Sequence, residues 1–258
     1  MLRQALLAWA VAFALVGCRF AGFVLVSPFP GERVPTAQRV GLVTILTLFT
    51  ASVMPPPAGA FGLDLSLFPL AAAEVACGLC VAVAFRFVLT AADVMAGGLA
   101  QATGLGTPSV LNPAAGTQDT ALASFTTLLA ILIAVSAGVH RTVLAYLLES
   151  FRALPVGTPL AFTGSVPLFV ELAGDAISVG VRLAMPLIGL SLVAQIVLAM
   201  IARAAPSLQI FSIGFTVLIG SGLLVLATSL REVGAGLLRH AGTLEPLLER
   251  LFAALAGG

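Results

Sequence analysis

Apolar positions fall in long blocks separated by short breaks rich in proline, glycine and arginine. The first block covers residues 5–26, with Arg3 ahead of it and Arg19 inside it, and predicts a first helix. Three prolines in residues 27–35 prevent helix there, and a second block, 40–53, ends at the triple proline 55–57. That block is short for a span of about 20 residues, so either Thr36 to Arg39 extend it or it lies tilted and partly buried. A Gly/Ala/Pro loop runs on to about residue 65. The third block, 67–89, carries Glu74 and Arg86, and the fourth, 91 to about 103, is rich in Gly and Ala. Only residues 90–93 separate them, which predicts a tight hairpin or one broken helix.

Residues 122–138 are again strongly apolar and lead through His140-Arg141 into 144–151. A Pro/Gly-rich connection, 154–166, follows. The segment from about Leu168 carries Glu171, Asp175 and Arg182 ahead of an apolar stretch at 183–201. A break is expected from Arg203 to Pro206, after which 208–230 is apolar. The tail, about 243–256, shows Leu247, Leu248, Leu251, Phe252 and Leu255 at amphipathic helical spacing. The pattern predicts one all-α unit over residues 1–258, with about six or seven apolar helical segments.

Between the fourth and fifth blocks lies a stretch of different character, 104–119. Its three glycines, two prolines and small polar residues cannot continue a helix. In a membrane protein, non-helical backbone is tolerated at membrane depth only where it is buried in protein or lines a wet cavity. The stretch is therefore a surface connection or a loop that reaches into a pore.

Composition decides the solvent. Of 258 residues, 60% are hydrophobic and 9% charged, with a mean hydropathy of +1.14. A soluble domain carries about 25% charged residues, so this is an integral membrane protein. A net charge of +1 without a long basic run argues against nucleic acid as a partner. All the basic residues are arginine, which we attribute to genome composition. The arginines Arg33, Arg39, Arg86, Arg141, Arg152, Arg231, Arg239 and Arg250 fall on one side if the blocks alternate, while 55–65 and the central loop hold none. This places the C-terminus in the cytoplasm and the central loop outside, with Arg3 and Arg203 as exceptions.

Candidate chemistry is sparse. A basic start and an apolar run ending at Cys18 have the outline of a lipoprotein signal, but apolarity continues to Val26, so a retained first helix is expected. Cys77-Gly-Leu-Cys80 has metal or redox spacing, yet it lies in an apolar helix without a second ligand pair, and His140 and His240 are distant in sequence. No metal or cofactor is assigned. Glu74 and Arg19 each stand inside an apolar run. Such charges face a bundle interior, a cavity or a partner. A proton relay needs several aligned carboxylates, so a structural role is expected, with Glu74 and Arg19 bonding to each other, to backbone or to another subunit. Small residues recur at helix-packing spacing in Gly17/Ala21, Ala73/Cys77, Glu74/Gly78 and Gly180/Ala184. No nucleophile elbow, zinc-protease signature, Walker motif or dinucleotide fingerprint occurs, so no catalytic site is expected.

Several of these features stand together in a recognisable order. Arg19-Phe-Ala-Gly22 with Pro28, Arg33 and Pro35, then Glu74-x-x-x-Gly78, Asn112-Pro113, Gly138-Val-His140, Glu149-Ser-Phe-x-x-Leu-Pro155, and Arg203-x-x-Pro206-Ser-Leu-Gln209-Ile-Phe211-Ser-Ile-Gly214-Phe215 resemble the FliR family. Departures are Ala102-Thr-Gly104 where the family often has Gln-Met-Gly, and Asn112-Pro113 where it usually has Asp-Pro.

The resemblance implies a non-enzymatic subunit of a flagellar or virulence type III export gate in the bacterial inner membrane, at a flagellar or injectisome basal body. It implies apolar helical segments arranged as hairpins and assembly with FliP- and FliQ-like subunits. FlhB- and FlhA-like neighbours, unfolded export substrates and membrane lipid complete the implied partners. By position it gives the central loop the role of pore plug, on Gly106, Thr107, Pro108, Ser109, Asn112, Pro113, Gly116, Thr117, Gln118 and Asp119. Assembly roles fall on Arg19, Gly22, Pro28, Pro35, Glu74, Gly78, Pro206, Gln209, Phe211 and Gly214. The rival from the residues alone is a secondary transporter with helices broken at Pro186 and Pro206. A third reading, an intramembrane enzyme, lacks an acid/base or metal set.

Overall fold

A computed structural model describes residues 2–28, 34–53, 67–102, 121–158, 160, 164–204 and 210–257. Among them are eight α-helices and no strand: α1 (Leu2–Val26), α2 (Thr36–Val53), α3 (Leu67–Ala102), α4 (Ala121–Ser136), α5 (Val139–Ala153), α6 (Val166–Ala204), α7 (Ile210–Ala241) and α8 (Leu244–Leu255). Among the described residues, four stretches are long and apolar enough to cross a membrane: Trp9–Val26, Thr36–Val53, Leu67–Gly98 and Val166–Ile201.

The interruption expected at 90–93 is absent, and so is the break at Pro186 that the transporter reading required. Residues 67–102 form one continuous helix instead of a hairpin or a broken helix. The Thr90-Ala-Ala-Asp93 stretch holds no Gly or Pro, and its alanines are strong helix formers. Asp93 also has a partner, the Thr127 hydroxyl, which donates to its carboxylate at 2.8 Å. Likewise, α6 runs through Pro186 without ending. Proline removes one backbone donor, and the long helix on either side outweighs that loss. The expected break at 203–206 is met by the end of α6 at Ala204; Pro206 itself lies outside the described residues.

Chain packing divides into two compact units. The first takes residues 1–87, 138–172 and 243–258. Here α1 packs on α2, with Gly17 of α1 against the buried Thr47. The α5 helix buries Val139, Val143, Leu147 and Phe151, each four residues from the next, as one helix face requires. Its start is set by Gly138, which takes φ 77°, a left-handed conformation open to glycine. The α8 helix packs on α5 and buries Leu244, Leu248, Leu251, Phe252 and Leu255, whereas Leu247 is only half-buried. Its outer edge is tied by the Tyr146 hydroxyl, 3.2 Å from a carboxylate oxygen of both Glu245 and Glu249. A bidentate pair, Arg250 to Glu171, joins α8 to the first turns of α6 at 3.0 and 3.2 Å.

The second unit takes residues 88–137 and 173–242. Its core mixes alanines with larger apolar residues: Ala91, Ala92 and Met95 from α3, Ala130 from α4, Ala184 and Leu187 from α6, and Val233 and Leu237 from α7. Its helices also approach closely. A Cβ on Gly180 would lie 2.6 Å from the Ala91 carbonyl oxygen, and one on Gly236 would lie 2.7 Å from a Leu183 methyl. Such spacing lets helix backbones meet where lipid supplies no hydrophobic drive between helices.

Candidate functional site

The most developed polar arrangement lies in the first unit, around Arg19 and Glu74. The two helices that carry them cross on glycine. A side chain on Gly22 would collide with the Val75 carbonyl, and one on Gly78 would collide with the carbonyl of Arg19 itself. The backbones of α1 and α3 are therefore in direct contact, antiparallel, at the level where the charges sit. Arg19 Nε donates to Glu74 Oε2 at 2.6 Å, with both side chains almost wholly buried.

Each charge also has a second use. Arg19 Nη1 donates to Ser150 Oγ at 3.1 Å, and Nη2 donates to the Leu154 carbonyl at 2.9 Å. Glu74 Oε1 accepts the Gly157 amide at 2.9 Å. The Ser150 hydroxyl in turn donates to the Leu147 carbonyl at 2.6 Å. The Phe151 ring lies 4.3 Å below the guanidinium and stacks, tilted, with Phe20 at 5.5 Å. All three guanidinium nitrogens and both carboxylate oxygens are thus engaged. A buried charge is tolerated only on such terms.

The backbone groups served belong to one turn. The Leu154 amide bonds to the Ser150 carbonyl at 2.8 Å and ends α5, and Pro155 to Thr158 form a β-turn closed by Thr158 N to Pro155 O at 3.2 Å. Gly157 occupies its third position at φ 86°, where a type II turn needs φ above zero and so glycine. The ion pair fixes where the chain leaves α5.

Of the other singled-out residues, Pro28 follows α1, and Pro35 starts α2, its carbonyl accepting the Gln38 and Arg39 amides at 3.0 and 3.3 Å. Phe211 and Gly214 lie in α7. Pro206, Gln209 and every central-loop residue from Gly106 to Asp119 fall outside the described residues. Cys77 and Cys80 are buried in α3 and Cys18 is half-buried in α1. Among the described residues no three His, Cys, Asp or Glu side chains gather as a metal ion requires. Two clefts beside α1, of about 280 and 250 Å³, are lined by Ala10, Ala14, Leu15 and Leu67 and by Phe13, Gly17 and Val43 among others. Neither gathers the convergent polar groups that a solute site needs.

Ser150, Leu154 and Gly157 were not expected as partners of the pair. Two are backbone groups, which a sequence does not mark. The signal that was present is the stretch from Glu149 to Pro155, whose Ser150, Phe151 and Leu154 all touch Arg19.

Long apolar helices, a glycine-crossed pair and a closed polar network define an all-α membrane protein. The chain belongs to the bacterial export proteins, family 1, which it matches over residues 10–242. Three relatives are flagellar biosynthetic proteins FliR. The protein of Caulobacter vibrioides is 26% identical, with 88% of this chain and 93% of the relative aligned. That of Aquifex aeolicus is 28% identical over 86% of each, and that of Escherichia coli K12 is 29% identical over 86% and 85%.

Proposed function

We propose that this chain is a non-enzymatic subunit of the flagellar protein-export gate in the bacterial inner membrane. The observation that carries the reading is the family match over residues 10–242 to a set of flagellar biosynthetic relatives. It is supported by apolar helices that the chain leaves uncovered. Only 11% of the α2 span and 17% of the α6 span are buried, as expected of a component that completes its packing against other subunits and lipid. In this reading FliP- and FliQ-like subunits enclose a channel with it, FlhB- and FlhA-like proteins adjoin, and unfolded substrates pass. The C-terminus faces the cytoplasm.

The loop from about Gly106 to Asp119 is the plug of the closed channel. Gly and Pro keep it from a fixed helix, while Thr107, Ser109, Asn112, Thr117 and Gln118 supply hydrogen bonds in a wet lumen. Its small side chains let it move aside for a passing chain. Deleting residues 108–118 is expected to leave assembly intact and make the membrane leaky to small solutes, read as dye or ion flux. Loss of assembly on that deletion would make the loop a structural joint and not a plug.

A further inference from the structure

Most of the long helices expose large apolar side chains. On α4, Phe125, Leu128, Leu132 and Val135 stand out at spacings of three, four and three residues, a stripe suited to lipid or to another apolar helix. The α3 helix differs. Among its described residues, Phe68 in the first turn is the only large apolar side chain that it exposes.

Beyond that turn the uncovered edge of α3 is polar. Between residues 73 and 98 its exposed residues are Arg86, Asp93 and Gly97, with Thr90 half-buried among them. Intervals of four, three and four residues place these four on one side of the helix. The other sides are packed. Ala91, Ala92, Met95 and Ala96 are buried, and a Cβ on Gly180 of α6 would meet Ala91 and Val94. One on Gly98 would meet Ala184 and Ile188, also of α6. The Thr127 hydroxyl of α4 donates to the Asp93 carboxylate at 2.8 Å and holds it at the seam of the two helices. Among the described residues, no atom lies within 4 Å of where a Cβ on Gly97 would sit.

The polarity of this edge selects its surroundings. The Leu67–Gly98 stretch is apolar enough to cross a membrane, and an aspartate lacks the reach to carry its charge out of hydrocarbon, where it is costly. The core of a protein interface is depleted of charge and enriched in aromatic side chains and methionine. This edge carries both signs and ends in an open glycine, which suits water. Asp side chains line cation-conducting pores in the same way. The α3 helix ends at Ala102 and α4 starts at Ala121, so the two helices joined by the Asp93–Thr127 bond are the stems on either side of the central loop.

We propose that the edge formed by Arg86, Thr90, Asp93 and Gly97 lines the water-filled passage taken by the exported chain, and that Asp93 biases that passage toward cations and basic segments. This deepens the export-gate reading and rests on it.

The test uses the full chain co-purified with the products of its genomic neighbours and placed in bilayer nanodiscs. Single cysteines replace Thr90, Gly97 and, on the apolar stripe of α4, Leu128, and the native chain with its three cysteines gives the background. A water-soluble cationic methanethiosulfonate, read by subunit mass, is expected to modify the cysteines at 90 and 97 and to spare that at 128. In planar bilayers, with residues 108–118 deleted to open the passage, Asp93→Asn keeps the acceptor for Thr127 and removes the charge. Its potassium-over-chloride permeability ratio is expected to fall. Protection of both 90 and 97 within an assembled complex, or an unchanged ratio in a complex that conducts, would overturn the lining and leave the export-gate reading standing. A chain that purifies without partners would remove that reading, and the passage with it.

Discussion

At the scale of single residues, Arg19 and Glu74 each contribute more than a charge. Truncating one partner of a buried ion pair leaves the other uncompensated, at a cost of about 3–5 kcal/mol. Arg19→Ala and Glu74→Ala are therefore expected to lower the melting temperature of the detergent-purified protein sharply. Arg19→Met with Glu74→Leu is expected to lose much less than the two single losses added together, since no charge is then stranded. Arg19→Lys is not conservative here: one ammonium cannot reach Glu74, Ser150 and Leu154 together in the fork geometry that guanidinium provides. A melting temperature for Arg19→Lys equal to that of the native chain would show that the three bonds are dispensable.

Glycines divide by what surrounds them. Gly78→Ala drives a methyl into the Arg19 carbonyl and is expected to cost about 1–3 kcal/mol, as overpacking does. Gly41 in α2 has no atom within 4 Å of where a Cβ would sit. Gly41→Ala is expected to be neutral or stabilising by up to about 1 kcal/mol through helix propensity. Thermal unfolding of the two variants side by side checks the contrast.

Element by element, the chain's own pattern was readable wherever a face repeats. The stripe of α8 follows from spacing, with Leu247 half-buried at its edge, and the spacings at Glu74/Gly78 and Gly180/Ala184 mark real backbone approaches. Continuity was less readable. The Thr90 to Asp93 stretch and Pro186 look like breaks because their side chains are polar or cyclic, but α3 and α6 are held by neighbours that a single segment does not display. The partners of Arg19 were hidden for a similar reason. They lie as far as 135 residues away, and one is a carbonyl.

The α8 helix offers a test at this scale. Leu248 is fully buried and Arg250 is exposed in its pair with Glu171. Leu248→Ala is expected to cost about 2–5 kcal/mol and to speed amide exchange throughout α8. Arg250→Ala is expected to leave that exchange unchanged, because an exposed pair in water contributes little. Faster exchange in Arg250→Ala alone would place the hold on α8 in charge and not in its apolar face.

For the molecule as a whole, the exposed apolar length is the central fact. Valines, leucines and isoleucines stand uncovered along α2 and α6, so this chain is one piece of a larger membrane assembly or a lipid-covered protein in its own right. The mass of the detergent-purified complex, from a C-terminally tagged chain co-expressed with its genomic neighbours, separates the two. The export-gate reading predicts a stable particle several times the 26.2 kDa of this chain, containing two other small helical membrane proteins. A lone monomer or homodimer would contradict it.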